Sequence, residues 1–138
     1  MPDPSDDMSV DSTESIRTPA LVVESAVLDA NLAAMDAMLP GDRLRPHVKA
    51  FKTTALAQRL SDDGHHGFCC ATPLEVEGLV AAGLGADILL ANESLDVARL
   101  GALADDAQIT VAVDSDATLD AAVASATSNG AQQPIEHS

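Results

Sequence analysis

The 138-residue sequence predicts an α/β fold with a parallel sheet. Three observations carry that reading. Strand-like apolar runs alternate with helical patterns four times through short connections, the signature of right-handed βαβ units. The apolar fraction, 46%, is mostly Ala, Val and Leu, with no Trp, no Tyr and only Phe51 and Phe68. Small aliphatic side chains of this kind suit helices packed closely on a sheet. Gly and Pro also punctuate the boundaries between runs. An open doubly wound sheet and a stretch of (β/α)₈ barrel would both give this alternation, and periodicity alone does not choose between them.

Met1 to Arg17 is acidic, Ser-rich and aperiodic, which reads as a disordered leader. Thr18-Pro19 then enters an extended run, with strand character over Ala20 to Val23. The run AVLDANLAAMDAML places Leu28, Leu32 and Met35 at helical spacing before Pro40-Gly41 stops it. RLRPHVKA, from Arg43, reads as a short strand and TTALAQRLSDDG as a helix closed by Gly64. GFCCA is the second strand of the alternation. TPLEVEGLVAAG follows with a full helix entry signal, Thr72 at N-cap, Pro73 at N1 and Glu75 at N3, and ends at Gly83. ADILLAN, then ESLDVARLGALAD, then QITVAVD, then SDATLDAAVASATSNG give strand, helix, strand and helix, with Asn129-Gly130 as the last stop. The tail Ala131 to Ser138 falls where a fifth strand would be expected. A full barrel needs about 250 residues, so on a barrel reading residues 18–130 are its N-terminal half, with about four βα units.

The charge is one-sided: 22 Asp plus Glu against 7 Lys plus Arg, a net −15. Such a surface repels nucleic-acid phosphates and anionic membranes. An Asp-rich, Lys-poor surface stays hydrated at high salt and suits a halophilic source. No basic region precedes an apolar segment at the N-terminus, and no apolar run reaches membrane-spanning length, so a soluble cytoplasmic protein is expected. Cys69 and Cys70 are adjacent, a spacing at which a mutual disulfide would be strained. They read as two small buried apolar residues in a reducing compartment. His65 and His66, in the loop SDDGHHGF, read as solvated loop residues.

Against this acidic background the stretch RPHVKAFK stands out, because Lys49 and Lys52 are the only lysines in the chain. On a strand, alternation puts Arg45, His47 and Lys49 on one face and Leu44, Val48 and Ala50 on the other. Lys49 then lies nearest the carboxyl end of the strand, where parallel α/β folds bind ligands. Like charges and partial burial there would favour a neutral amine, and only a free lone pair attacks a carbonyl. The competing reading is two lysines exposed at a strand end and solvated.

The order TPALVVESAVLDANLAAM, RLRPHVKAFKTTALAQ and GFCCATPLEVEGLVAAGLGADILLANE resembles the N-terminal part of the alanine-racemase-like family, most closely its D-threonine aldolase and D-serine dehydratase branch. That branch reads TPALV, RPHxKTHK, C-x-AT-x-x-E and ILLANE in the same order, and the similarity runs from about Thr18 to Asp114. The resemblance implies a pyridoxal-phosphate enzyme on a (β/α)₈ barrel, with Lys49 as the Schiff-base lysine. His47 and Arg45 would tune or position the cofactor, and Thr72 and Asn92 would line the pocket. Thr72 also reads as a helix cap and Asn92 as a turn residue. The motif's second histidine is Phe51 here, which removes a polar group and reads as packing under the next helix.

The resemblance further implies a small D-amino acid as substrate, a homodimer in full-length members, and a divalent metal. The ligands of that metal, the partner of the pyridine nitrogen and most phosphate-binding groups match nothing in these 138 residues. The expectation is therefore a truncated lyase that is inactive alone. The alternatives are a non-catalytic half barrel and a pyridoxal-phosphate carrier on the same barrel.

Overall fold

A computed structural model describes residues 16–128; the expected leader, apart from Ile16 and Arg17, and the expected tail lie outside them. The described elements run α1 (Ser25–Met38), α2 (Thr54–Asp62), β1 (Gly67–Cys70), α3 (Pro73–Ala81), β2 (Asp87–Leu90), α4 (Ala98–Gly101), β3 (Ile109–Val111) and α5 (Asp116–Ser128). The three strands form a parallel sheet in the order β1-β2-β3, with Gly67 opposite Asp87 and Ile88 opposite Ile109. Beside β1, His47 makes a single parallel bridge with Cys69 and extends the sheet by one position.

Alternation along the strands decides between the two folds that periodicity left open. Phe68, Cys70, Ile88 and Leu90 are fully buried against Ala57 and Leu60 of α2, Val76 and Leu79 of α3 and Leu100 of α4. On the opposite face Cys69 and Leu89 are only half-buried and Thr110 is exposed. Strands in chain order with helices on one face form part of a (β/α) barrel; a doubly wound sheet would carry helices on both. The inner face of that barrel segment is open.

Several elements depart from the sequence expectation, each for a physical reason. Arg43 to Ala50 is not a continuous strand: 3₁₀ turns occupy Gly41–Arg43 and Val48–Ala50, and only the bridge at His47 is left between them. Pro46 has no N–H to give to a ladder; it contributes only its carbonyl, which accepts from Cys69 N–H at 2.8 Å. Ala20 to Val23 forms no strand and finds no sheet partner among the described residues, and Leu21 is 86% exposed. The helix expected over Glu93 to Asp105 shrinks to α4. Ahead of it the Ser94 hydroxyl accepts from Asp96 N–H at 3.1 Å, a local bond that competes with helix entry. After the sheet, Ser125 of α5 holds α4 from both ends, accepting from Gly101 N–H at 3.1 Å and donating to the Val97 carbonyl at 2.6 Å.

His65 is not a solvated loop residue. It is 1% exposed, and its Nδ1 lies 2.9 Å from the Gly41 carbonyl. A carbonyl can only accept, so Nδ1 carries the proton. Gly41, at φ 57°, turns that carbonyl toward the ring in a conformation that suits glycine. The bond ties the turn after α1 to the entry of β1. His66 is exposed, with its Nδ1 3.3 Å from the Ser61 hydroxyl. No helix among the described residues is long and apolar enough to cross a membrane. Replacing His65 with Ala removes one of the two bonds to the Gly41 carbonyl, which keeps the Leu44 N–H, and opens a void; it should lower stability by about 2–3 kcal/mol in urea denaturation. A loss below about 0.5 kcal/mol, the range of surface changes, would contradict this role.

Candidate functional site at the carboxyl edge of the sheet

The register fixes which side chains share a row across the open face. Gly67 and Asp87 lie at the amino end, with Arg45 two residues before the bridge, and His47, Cys69 and Leu89 in the middle; Ala71 and Ala91 follow just past the paired residues, and Lys49 stands on the turn Val48–Ala50 that follows the bridge. Lys49 is exposed and makes no ion pair among the described residues. Its backbone N–H is bonded to His47 Nδ1 at 3.3 Å, so His47 acts as the cap of the turn that carries Lys49.

Of the sequence-predicted residues, His47, Lys49, Thr72 and Asn92 come together at this edge. Thr72 caps α3, its hydroxyl accepting from Glu75 N–H at 3.2 Å. Asn92, just past β2, donates to the Ala71 carbonyl at 3.2 Å and staples the ends of β1 and β2. Arg45 is not brought to the edge. It lies two residues before His47, about 7 Å back along extended backbone, and its guanidinium pairs with Asp87. Gly67 makes that pairing possible: a Cβ there would sit 3.0 Å from the Asp87 carboxylate and 3.5 Å from Arg45 Nε. Phe51 is partly buried and packs against the core, in line with the sequence reading.

The uncompensated cationic cluster inferred from the sequence is absent. Arg45 is paired with Asp87, and Lys52 with Glu75 at 2.6 Å. Lys49 is exposed, not partly buried. The residue that sequence reasoning missed is Glu75, seen there only as the N3 position of a capping box. Its carboxylate does not return to the N-cap N–H; Oε2 accepts instead from Ala71 N–H at 2.7 Å, one residue earlier, while Oε1 holds Lys52. The available signal was the pairing of the chain's second lysine with the acid of C-x-AT-x-x-E. Among the described residues no group of three His, Cys, Asp or Glu could hold a metal ion.

Burial alone would raise the Glu75 carboxyl. The hydrogen bonds from Lys52 and Ala71 and the charges of Lys52 and His47 outweigh it and hold the group below its ordinary range. A carboxyl lowered on folding adds stability that is present above its unfolded value and is lost as pH falls through the folded one. Glu75→Gln should therefore be less stable than wild type by about 1–2 kcal/mol at pH 7, with Lys52's exposure limiting the figure. Denaturation curves should show that gap closing below about pH 4; a gap constant down to acid pH would contradict the assignment.

The two cysteines, expected to be alike, differ. Cys70 faces the helices, and burial, with the charges of Glu75 and Cys69 adding to it, pushes its thiol up to about 12. Cys69 is half-buried on the open face. A thiol reagent near neutral pH should modify Cys69 first and reach Cys70 only on unfolding; equal rates in the folded chain would contradict the placement.

Comparison with known proteins gives a consistent result. The family described as alanine racemase, N-terminal domain, matches residues 23–136. A D-threonine aldolase from Arthrobacter sp is 41% identical over 112 residues, covering 76% of this chain and 29% of that protein. The crystal structure of D-threonine aldolase from Filomicrobium marinum superposes with a TM-score of 0.74 at 28% identity, covering 83% of this chain and 32% of that one. The chain thus spans less than a third of the length of either relative. With the family match extending from the end of the TPALV run through the last described helix, the chain belongs to the family of alanine racemase N-terminal domains.

Proposed function

We propose that this chain carries the cofactor-attachment lysine of a pyridoxal-phosphate-dependent lyase acting on a β-hydroxy-D-amino acid, of the D-threonine aldolase kind. The observation that carries the reading is the placement of Lys49: an exposed primary amine at the carboxyl edge of a parallel sheet, without an ion-pair partner among the described residues. Its motif RPHVK and its 41% identity to a D-threonine aldolase support the choice of chemistry.

The residues at the edge fit an attachment point. Lys49 offers an exposed amine. His47 accepts from Lys49 N–H through Nδ1, so in its neutral form the proton is on Nε2, which is a donor. Asn92 keeps the ends of β1 and β2 in register beneath the site. When bound, pyridoxal phosphate supplies an electron sink for charge left at the α-carbon of an amino acid.

A phosphate grip does not come with these residues. At the start of α3, Pro73 lacks an N–H and the Glu75 N–H is taken by Thr72. The proposed role is therefore attachment, with turnover requiring groups beyond the described residues.

The test is incubation with one equivalent of pyridoxal phosphate at mildly alkaline pH, borohydride reduction and peptide mapping. The expected result is a pyridoxyl mass on the Lys49 peptide, lost in Lys49→Ala and kept in Lys52→Ala, without cleavage of D-threonine. Label confined to Lys52, or none at all, would overturn the assignment of Lys49.

A further inference from the structure

Two lysines three residues apart reach the same edge, so an aldehyde arriving there meets two amines. The structure treats them differently. Lys52 donates from Nζ to Glu75 Oε1 at 2.6 Å, while Lys49 has no such partner among the described residues. Glu75 is fixed at three points: Oε1 on Lys52, Oε2 on Ala71 N–H at 2.7 Å, and its own N–H on Thr72 Oγ1 at 3.2 Å. Its side chain is 11% exposed against 66% for Lys52, so the carboxylate is the anchored partner and the lysine reaches to it. As N3 of α3, the carboxylate also sits where the helix end favours negative charge.

The backbone of Lys52 belongs to the same arrangement. Its φ is 48°, the left-handed region that a side chain seldom adopts, and its N–H closes onto the Val48 carbonyl at 2.7 Å. That bond ends the turn Val48–Ala50 on which Lys49 stands. The ion pair therefore secures the side chain of the residue whose backbone N–H closes the turn that carries the first lysine.

We propose that Glu75 is a positioning residue that discriminates between the chain's two lysines, holding Lys52 in an ion pair so that Lys49 is the amine left open to an aldehyde. This rests on the reading of Lys49 as the attachment point. An amine condenses with an aldehyde through its lone pair, forming a C=N bond and releasing water. An ammonium that donates to a carboxylate has no lone pair to offer; an amine without a partner does once its proton goes to solvent.

The test compares wild type with Glu75→Gln, which keeps the shape and removes the charge. Each is treated with one equivalent of pyridoxal phosphate, reduced with borohydride and digested, and the ratio of label on Lys52 to label on Lys49 is read by mass spectrometry. Circular dichroism confirms that the variant is folded. Wild type should carry label mainly on Lys49, and Glu75→Gln should raise the Lys52 share about fivefold, the scale of a part-exposed ion pair. An unchanged ratio in folded Glu75→Gln overturns the role of Glu75 while leaving Lys49 in place. Label mainly on Lys52 in wild type overturns the underlying reading.

If Glu75→Gln does not fold, wild type alone decides through reductive methylation with formaldehyde and borohydride. Lys49 should react faster than Lys52 in the folded chain and at the same rate in urea. Equal rates in the folded chain overturn the proposal.

Discussion

The hydrogen bond from Cys69 N–H to the Pro46 carbonyl, 2.8 Å long, is the constraint on which the site depends. It sets His47 opposite Cys69 and so fixes the register of the cationic segment against β1. A shift of one residue would turn every side chain of that segment to the other face. Val48, now buried at 4% exposure, would then face the open side, and Lys49 would face the core. The apolar cost of exposing Val48 and the larger cost of burying an ammonium both defend the observed register. Pro46 contributes by its chemistry: it accepts from the ladder without being able to donate, so pairing does not extend before the bridge; after it, the Val48 carbonyl accepts from Lys52 N–H and Ala71 N–H goes to Glu75, and the chain turns away.

The turn that follows is secured from α3. Thr72, Pro73 and Glu75 form the entry of that helix, and the same residues organise the edge of the sheet. Glu75 spends both carboxylate oxygens outside its own helix, one on Ala71 at the end of β1 and one on Lys52. Asn92 closes the arrangement from the other side by donating to the Ala71 carbonyl. Ala71 is thus held through both its N–H and its carbonyl, between the lysine-bearing turn and the end of β2. A helix start that serves as a structural cap in one direction fixes the geometry of the amine in the other.

The parts of the fold governed by local signals were legible in the sequence. The cap at Thr72, the burial of Cys70, and the strands around Cys70 and Leu90 follow from period, propensity and capping chemistry, all within a few residues of where they act. What failed depended on distant partners. Arg45 was placed beside Lys49 by alternation, but Asp87, 42 positions away, holds it at the amino end of the sheet. His65 looked solvated because nothing nearby announces that the Gly41 carbonyl will meet its ring. The like-charge cluster dissolved for the same reason: Arg45 pairs with Asp87 and Lys52 with Glu75, while His47 accepts from Lys49 N–H through Nδ1 and caps the turn. The bridge at His47 is the part of this segment that register sets, and the burial of Val48 on one side and of Cys70 across from it goes with it.

Amide hydrogen exchange tests the central claim most directly, because it reads the two backbone bonds that fix the lysine-bearing turn. The N–H of Cys69, bonded to Pro46, and the N–H of Lys52, bonded to Val48, should exchange slowly, with Cys69 approaching the protection of the sheet core represented by Ile88. Exchange of both at the rates of an unstructured peptide, while Ile88 remains protected, would mean that the segment is not docked on β1 and that Lys49 has no fixed place at the carboxyl edge.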